Sequence, residues 1–284
     1  CSPVKIDANS VTFEPQDMAF VKKFGILEAT EMALDYHAEH PNLPFLYDAE
    51  QLAGFLGISR GELNDIVNHI QKEYKEAHLP KKDGTYRSLC VPSIRLRFCQ
   101  DPIKEKILPQ LPVSKFATAY QKGSTTRGNA EPHIGKKFLL KLDITDFFGS
   151  ITFEQVQRTA FNTRYVSRQV GYLLTSLCCK DDSLPQGAAT SPALSNIVMY
   201  RFDDYIGRWC SQRQIAYTRY CDDMTFSANR PLYGVYQKVK TMLREMGFEL
   251  NESKTHFIGN DNRQSVTGLV VNEKLSIPSG YKRD

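Results

Sequence analysis

Tyr220-Cys221-Asp222-Asp223 sets two carboxylates side by side between stretches rich in β-branched and aromatic residues, 217–220 and 224–227. Adjacent carboxylates repel, and each opposes ionisation of the other unless positive charge lies between them. Asp-Asp is also a poor two-residue hairpin turn, which favours Asn-Gly or Asp-Gly. A cation held at the bend answers both problems, and hard carboxylate oxygens suit Mg²⁺ better than zinc. Taken alone, the pair reads as a solvated acidic turn. A metal site needs a third carboxylate from elsewhere in the chain.

Residues 138–144 read Phe-Leu-Leu-Lys-Leu-Asp-Ile, a nearly continuous apolar run expected of a strand buried on both faces. Asp143 interrupts it near its end, where a carboxylate is costly unless it binds something. Asp146 follows three residues on, as an exposed turn residue or one that orients the backbone. One carboxylate on a buried strand and two on a hairpin tip suggest a two-metal site, with ions roughly 4 Å apart. Such a site serves phosphoryl transfer, either attack of a 3′-hydroxyl on a nucleoside triphosphate or nuclease hydrolysis.

The elements that must position these groups are marked in the sequence. After Asp143, Thr152 is an N-cap with Gln155 completing a capping box. Ser191 caps a long helix with Pro192 at its first position and Leu194, Ile197, Val198, Phe202 and Ile206 at helical spacing. A helix over 233–246 places Val235, Val239, Met242, Leu243 and Met246 on one face and ends at Gly247. Upstream, a helix is expected around 26–37. Two more follow over 48–75, the first capped by Asp48 and ended by Gly57, the second capped by Ser59. The second carries no Arg or Gln array for reading base edges, so packing with some RNA contact is its expected role. Lys81-Lys82-Asp83-Gly84-Thr85-Tyr86-Arg87 forms a hairpin with Asp-Gly at its bend, and 264–278 a hairpin turning at Asn272-Glu273.

In this order the motifs resemble those of a reverse transcriptase. Residues 138–151 look like the family's first palm motif, Leu184-Pro185-Gln186-Gly187 its second, Tyr220-Cys221-Asp222-Asp223 its third, and 246–254 its fourth. Asn129-Ala130-Glu131-Pro132-His133 and Val266-Thr267-Gly268 resemble the Asn-Ala-x-x-His and Val-Thr-Gly motifs of bacterial retron reverse transcriptases.

The resemblance implies an α+β right-hand polymerase, with fingers, a palm whose antiparallel sheet is backed by helices, and most of the thumb absent. Its domains would be a helical N-terminal region over 1–79, fingers over 80–137, palm over 138–259, and a primer-grip-like hairpin with the start of a thumb over 260–284. Asp143, Asp222 and Asp223 would be catalytic carboxylates holding two Mg²⁺ ions, with Ile144 counted among the metal positions. Lys81, Arg87, Phe148, Gln186, Gly187 and Lys254 would bind the incoming nucleotide. The Phe148 ring would exclude a 2′-hydroxyl, and Lys254 would protonate or neutralise the leaving pyrophosphate. Asn129, His133, Val266, Thr267 and Gly268 would serve RNA binding. Packing is the other reading of His133, and a tight backbone turn that of Gly268.

The function implied is RNA-directed DNA synthesis on a structured non-coding RNA that is both template and primer. It would use dNTPs, yield a branched RNA–DNA hybrid, and act in the bacterial cytoplasm with an effector protein in defence against phage. The alternatives are another bacterial reverse transcriptase, group II intron-like or CRISPR-associated, and a palm-fold RNA-binding scaffold with little synthesis. A reverse transcriptase continues into a helical thumb, whereas 278–284 leave room only for its beginning. The expectation is a fragment, or a thumb supplied by another polypeptide.

With 284 residues, 24% charged and 41% hydrophobic, the chain can bury a substantial core. A net charge of only +4 means that a nucleic-acid surface must come from clusters such as Lys81-Lys82, Arg95 with Arg97, and Lys136-Lys137. Seven cysteines without a Cys-x-x-Cys pair argue against zinc and fit a reducing compartment. No apolar run approaches the roughly 20 residues that cross a bilayer, and no signal peptide is visible.

Overall fold

The computed structural model describes residues 5–7, 10–80, 84 and 86–276. Lys81, Lys82, Asp83 and Thr85, and the chain from Ile277 onward, lie outside the described residues, and with them the nucleotide-binding role of Lys81 and the start of the thumb. The strands are Lys5–Asp7 (β1), Ser10–Thr12 (β2), Tyr74–Pro80 (β3), Tyr86–Pro92 (β4), Phe138–Asp143 (β5), Ala216–Tyr220 (β6), Asp223–Ala228 (β7), His256–Gly259 (β8), Ser265–Val266 (β9) and Leu269–Val270 (β10). The α-helices are Met18–Phe24 (α1), Ile26–Glu39 (α2), Ala49–Leu56 (α3), Arg60–Asn68 (α4), Ile94–Pro102 (α5), Thr126–Ala130 (α6), Phe153–Thr159 (α7), Arg168–Cys178 (α8), Ser191–Ser211 (α9) and Tyr233–Glu245 (α10). The chain divides into two compact units, Cys1–Pro112 with Ile151–Leu194, and Val113–Ser150 with Ser195–Asp284.

The first unit is helical around one long hairpin. The Asp48 carboxylate accepts from the N–H groups of Glu50 and Gln51 to start α3, and Gly57 at φ 75° ends it. Ser59 and Glu62 form the capping box of α4, as Thr152 and Gln155 do for α7. Leu52, Leu63, Leu96, Leu174 and Leu177 are fully buried where α3, α4, α5 and α8 pack together. Each such leucine contributes about 1.5–3 kcal/mol through removal from water. Strands β3 and β4 pair antiparallel from Tyr74 opposite Pro92 to Pro80 opposite Tyr86, and Gly84 in the bend has φ 82°.

The second unit is a four-stranded antiparallel sheet in the order β6-β7-β5-β8. β5 lies between two partners and is covered on both faces, with Leu139 and Leu140 both buried, which explains its apolar run. Leu140 and its register partner Phe226 share one face with Tyr217, whose ring stacks on Phe226 at 4.6 Å. The opposite face carries Leu139, Lys141 and Asp143 in turn. Leu139 there joins Ala130, Val266 and Val271 in a second buried cluster. α10 ends in a Schellman motif, with Phe248 N–H on the Leu243 carbonyl and Gly247 N–H on that of Arg244.

Two boundaries differ from expectation. Ser191 is the first residue of α9 rather than its cap. The Thr190 carbonyl accepts from Leu194 N–H, and the Ser191 hydroxyl donates instead to the Pro185 carbonyl (2.8 Å). The C-terminal hairpin bends at Thr267-Gly268, not at Asn272-Glu273. Both residues have positive φ (45° and 83°), the signature of a type I′ turn. Asn272 and Glu273 belong to a second reversal, closed by a bridge between Val270 and Ser276. Among the described residues no helix is long and apolar enough to cross a membrane.

Candidate active site

Asp143, the last residue of β5, stands directly opposite Asp223, the first of β7. Tyr220 pairs with Asp223, so the connecting turn consists of Cys221 and Asp222 alone. The bend therefore lies one residue earlier than the Asp-Asp pair, and Asp223 is a strand residue. Cys221 has φ 62° and Asp222 does not share a positive φ, the sign pattern of a type II′ turn. Glycine is the ordinary residue at the first position of that turn. The turn is held by bonds to its carbonyls. Ile144 N–H donates to Asp222 (3.2 Å), and Arg219 Nη1 donates to Cys221 (2.8 Å). The Tyr120 hydroxyl reaches the Cys221 sulfur at 3.0 Å.

The electrostatics are those of crowded negative charge with partial compensation. Asp143 is nearly buried, and Lys254 Nζ lies 2.9 and 3.1 Å from its two carboxylate oxygens. That bond raises the lysine's pKa against the opposing effect of burial. Asp223 meets solvent at its edge, yet its carboxyl is held above the usual range. Crowding by surrounding atoms is the first cause, and the Asp222 charge the second. Asp143 adds to the rise, while Lys141 and Lys254 oppose it. Burial pushes the Cys221 thiol up to about 11, which removes it as a nucleophile at neutral pH.

Three hard carboxylates at one strand end and its neighbouring turn, with a carboxyl whose ionisation is opposed by like charge, are a donor set that fits a divalent cation. Among the described residues no three carboxylate, imidazole or thiol side chains close on a common point. Both oxygens of Asp143 are engaged by Lys254.

Phe148, five residues beyond Asp143, is half-buried, whereas its neighbour Phe147 is buried against Phe248. Asp146 is exposed at φ 41° and is a turn residue, its carbonyl accepting from Ser150 N–H. In the first unit, the Gln186 carbonyl accepts from Cys90 N–H of β4 at 2.7 Å. A Cβ on Gly187 would fall 2.9 Å from the Cys90 carbonyl oxygen, and its φ is 125°, so the Pro-Gln-Gly segment needs glycine there for two reasons. Arg87 projects from the same strand into solvent.

The residues expected to touch RNA divide into two sets. His133 is fully buried, with Nδ1 2.7 Å from Ser227 Oγ and Nε2 2.9 Å from Thr218 Oγ1, and burial drives its pKa down to about 3. Asn129 is buried too. Its side-chain oxygen accepts from Thr118 Oγ1 (2.6 Å) and its amide reaches Thr267 Oγ1 (3.4 Å). Val266 belongs to the buried cluster. These three side chains are internal, and their hydrogen bonds and apolar contacts are made within the second unit. Thr267 and Gly268, at the turn they support, do meet solvent.

Sequence reasoning missed Arg219 and Asp203, a fully buried ion pair beneath the Cys221-Asp222 turn. An arginine inside a strand of otherwise apolar, aromatic and threonine residues was the available signal.

The arrangement is that of a palm-type nucleotidyl transferase, with one carboxylate on a central strand and two more at an adjoining hairpin. Comparison with known proteins agrees. Residues 79–271 match the family described as reverse transcriptase (RNA-dependent DNA polymerase). The chain is 34% identical to the retron Ec83 reverse transcriptase of Escherichia coli, over 74% of this chain and 72% of that protein. It is 29% identical to the retron Ec86 reverse transcriptase of the same organism, over 88% and 80%. With the retron Mx65 reverse transcriptase of Myxococcus xanthus it shares 32%, over 83% and 60%. A Candida albicans telomerase structure, solved with a fragment of telomeric RNA, aligns with a TM-score of 0.52 at 12% identity over 74% of this chain and 48% of that one, which shows the shared fold. The chain belongs to the reverse transcriptase family, and within it to the retron type. It is an RNA-directed DNA polymerase, an enzyme class that copies an RNA template and uses divalent metal ions.

Proposed function

We propose that the chain reverse transcribes part of a cognate structured non-coding RNA into a branched RNA–DNA hybrid, using two Mg²⁺ ions held by Asp143, Asp222 and Asp223. The observation that carries this is the register of the sheet, which sets Asp143 opposite Asp223 with Asp222 beside them in the turn. Bound ions of this kind supply Lewis-acid stabilisation of the attacking and leaving oxygens in an in-line displacement.

The chain's own residues do the rest. Asp143, Asp222 and Asp223 bring negative charge to the site and set its geometry, and Ile144 fixes the turn through its N–H on the Asp222 carbonyl. Lys254 holds Asp143 and is assigned to neutralise or protonate the leaving pyrophosphate. The Phe148 ring selects dNTPs over rNTPs by overlap with a 2′-hydroxyl. Arg87, through its planar fork, grips triphosphate oxygens. Gln186 and Gly187 are assigned to the incoming nucleotide and template base by their motif. Thr267 and Gly268 form the solvent-facing tip of an RNA-contacting turn, supported from within by Asn129, His133 and Val266.

The same reading assigns priming from a 2′-hydroxyl of the RNA and a role with an effector protein in antiphage defence. Its support is the retron type of the relatives. The test is Asp222→Asn. The variant is expected to fold, to bind the RNA and to incorporate no dNTP on it. Robust synthesis by that variant would remove Asp222 from the centre.

A further inference from the structure

Arg219 heads the fully buried side chains by size, and its guanidinium spends its whole fork inside the second unit. Nε lies 2.9 and 3.1 Å from the Asp203 carboxylate oxygens, and Nη2 lies 2.6 Å from Asp203 Oδ2 and 3.1 Å from Asn196 Oδ1. The remaining nitrogen, Nη1, donates to the Cys221 carbonyl at 2.8 Å. The Tyr217 hydroxyl adds a bond to Asp203 (2.7 Å), and the Asn196 amide is itself anchored on the Ala119 carbonyl (2.8 Å). Both members of the ion pair are completely excluded from solvent.

Taking both charges from water is costly, and apolar side chains of similar volume often give equal or greater stability. Stability alone therefore gives no reason for this pair. The bond to Cys221 does. Cys221 stands at φ 62°, in a turn position that strains any residue but glycine. A strained turn holds only where its surroundings over-determine it, and Asp222 and Asp223 ride on this one. Lysine could not substitute, because one ammonium cannot both face Asp203 in a fork and reach the carbonyl.

We infer that Arg219 is a positioning residue for the catalytic turn. Anchored on Asp203 and Asn196, it clamps the Cys221 carbonyl and keeps a strained turn in the conformation that presents the two aspartates. This rests on the reading of Asp222 and Asp223 as the metal-binding pair.

The test compares Arg219→Lys, Cys221→Gly and the double variant in the full chain. Arg219→Lys is expected to keep its circular dichroism and lose about 100-fold in single-turnover dNTP incorporation, as a misplaced reacting group does, with the dNTP KM little changed. Peptide-resolved alkylation of the Cys221 thiol should speed up in Arg219→Lys as the turn opens. In the double variant glycine adopts positive φ without a clamp, and most of the lost rate should return. A loss unrelieved by Cys221→Gly, or unchanged alkylation, would overturn the inference. If the wild-type protein itself incorporates no dNTP, the polymerase reading fails, and alkylation still decides the clamp. If Arg219→Lys does not fold, Asn196→Ala, which removes one bond of the anchor, should speed Cys221 alkylation more modestly, and no change there would also overturn it.

Discussion

Asp143 and Asp223 face each other across β5 and β7 at the last rung the two strands share. That rung brings together carboxylates that lie far apart in the chain. Ionisation of the Asp223 carboxyl is opposed first by the atoms that crowd it, then by the charge of Asp222 beside it, and more weakly by Asp143 opposite.

Lys254 is the counter-charge of Asp143 and competes with any cation for its oxygens. Lys254→Gln should tighten divalent-ion binding about fivefold in the absence of nucleotide, since an exposed charge near 3–4 Å is worth about 1 kcal/mol. Mn²⁺ titration followed by electron paramagnetic resonance measures this directly. Weaker binding would mean that the ammonium supports the site rather than competing for it.

Phe148→Ala should admit ribonucleotides, because the bulk that overlaps a 2′-hydroxyl is gone. The ratio of dNTP to rNTP kcat/KM is expected to fall by about tenfold or more, the scale of one removed steric contact. An unchanged ratio would make Phe148 a packing residue.

His133 links pH to stability. Its folded pKa of about 3 lies far below the unfolded value near 6.5, so between those limits the unfolded state binds the extra proton. Its contribution is therefore fully present above about pH 6.5. It is lost by about 1.4 kcal/mol per unit as pH falls toward 3. Urea denaturation at neutral pH and near pH 5 should show a smaller pH-dependent loss for His133→Gln than for the wild type. Parallel losses in the two proteins would contradict the burial seen here.

Gly187→Ala should destabilise the first unit by about 1–3 kcal/mol, because its Cβ would press on the Cys90 carbonyl at a φ that disfavours side chains. Thermal unfolding gives the shift. A neutral substitution would show that the Pro-Gln-Gly segment can move away from β4.

The fold was legible wherever local chemistry decides conformation. The caps at Asp48, Ser59 and Thr152, the glycine ends at Gly57 and Gly247, and the apolar run of β5 all stand where periodicity and capping rules put them. Two turns were not legible. The bend at Cys221-Asp222 and the Thr267-Gly268 turn both place a residue other than glycine at positive φ, because strand pairing on either side imposes it.

By itself the sequence determined the element order and the identity of the chemical groups, since helix caps, strand patterns and motif residues act over a few neighbours. Only the tertiary structure decided what each charged group faces. Lys254 meets Asp143 across 111 positions, Arg219 meets Asp203 beneath the turn, and His133 bridges two strands inside the core. Those pairings follow from sheet register and helix packing, which bring distant residues into low-dielectric contact and have no local signature.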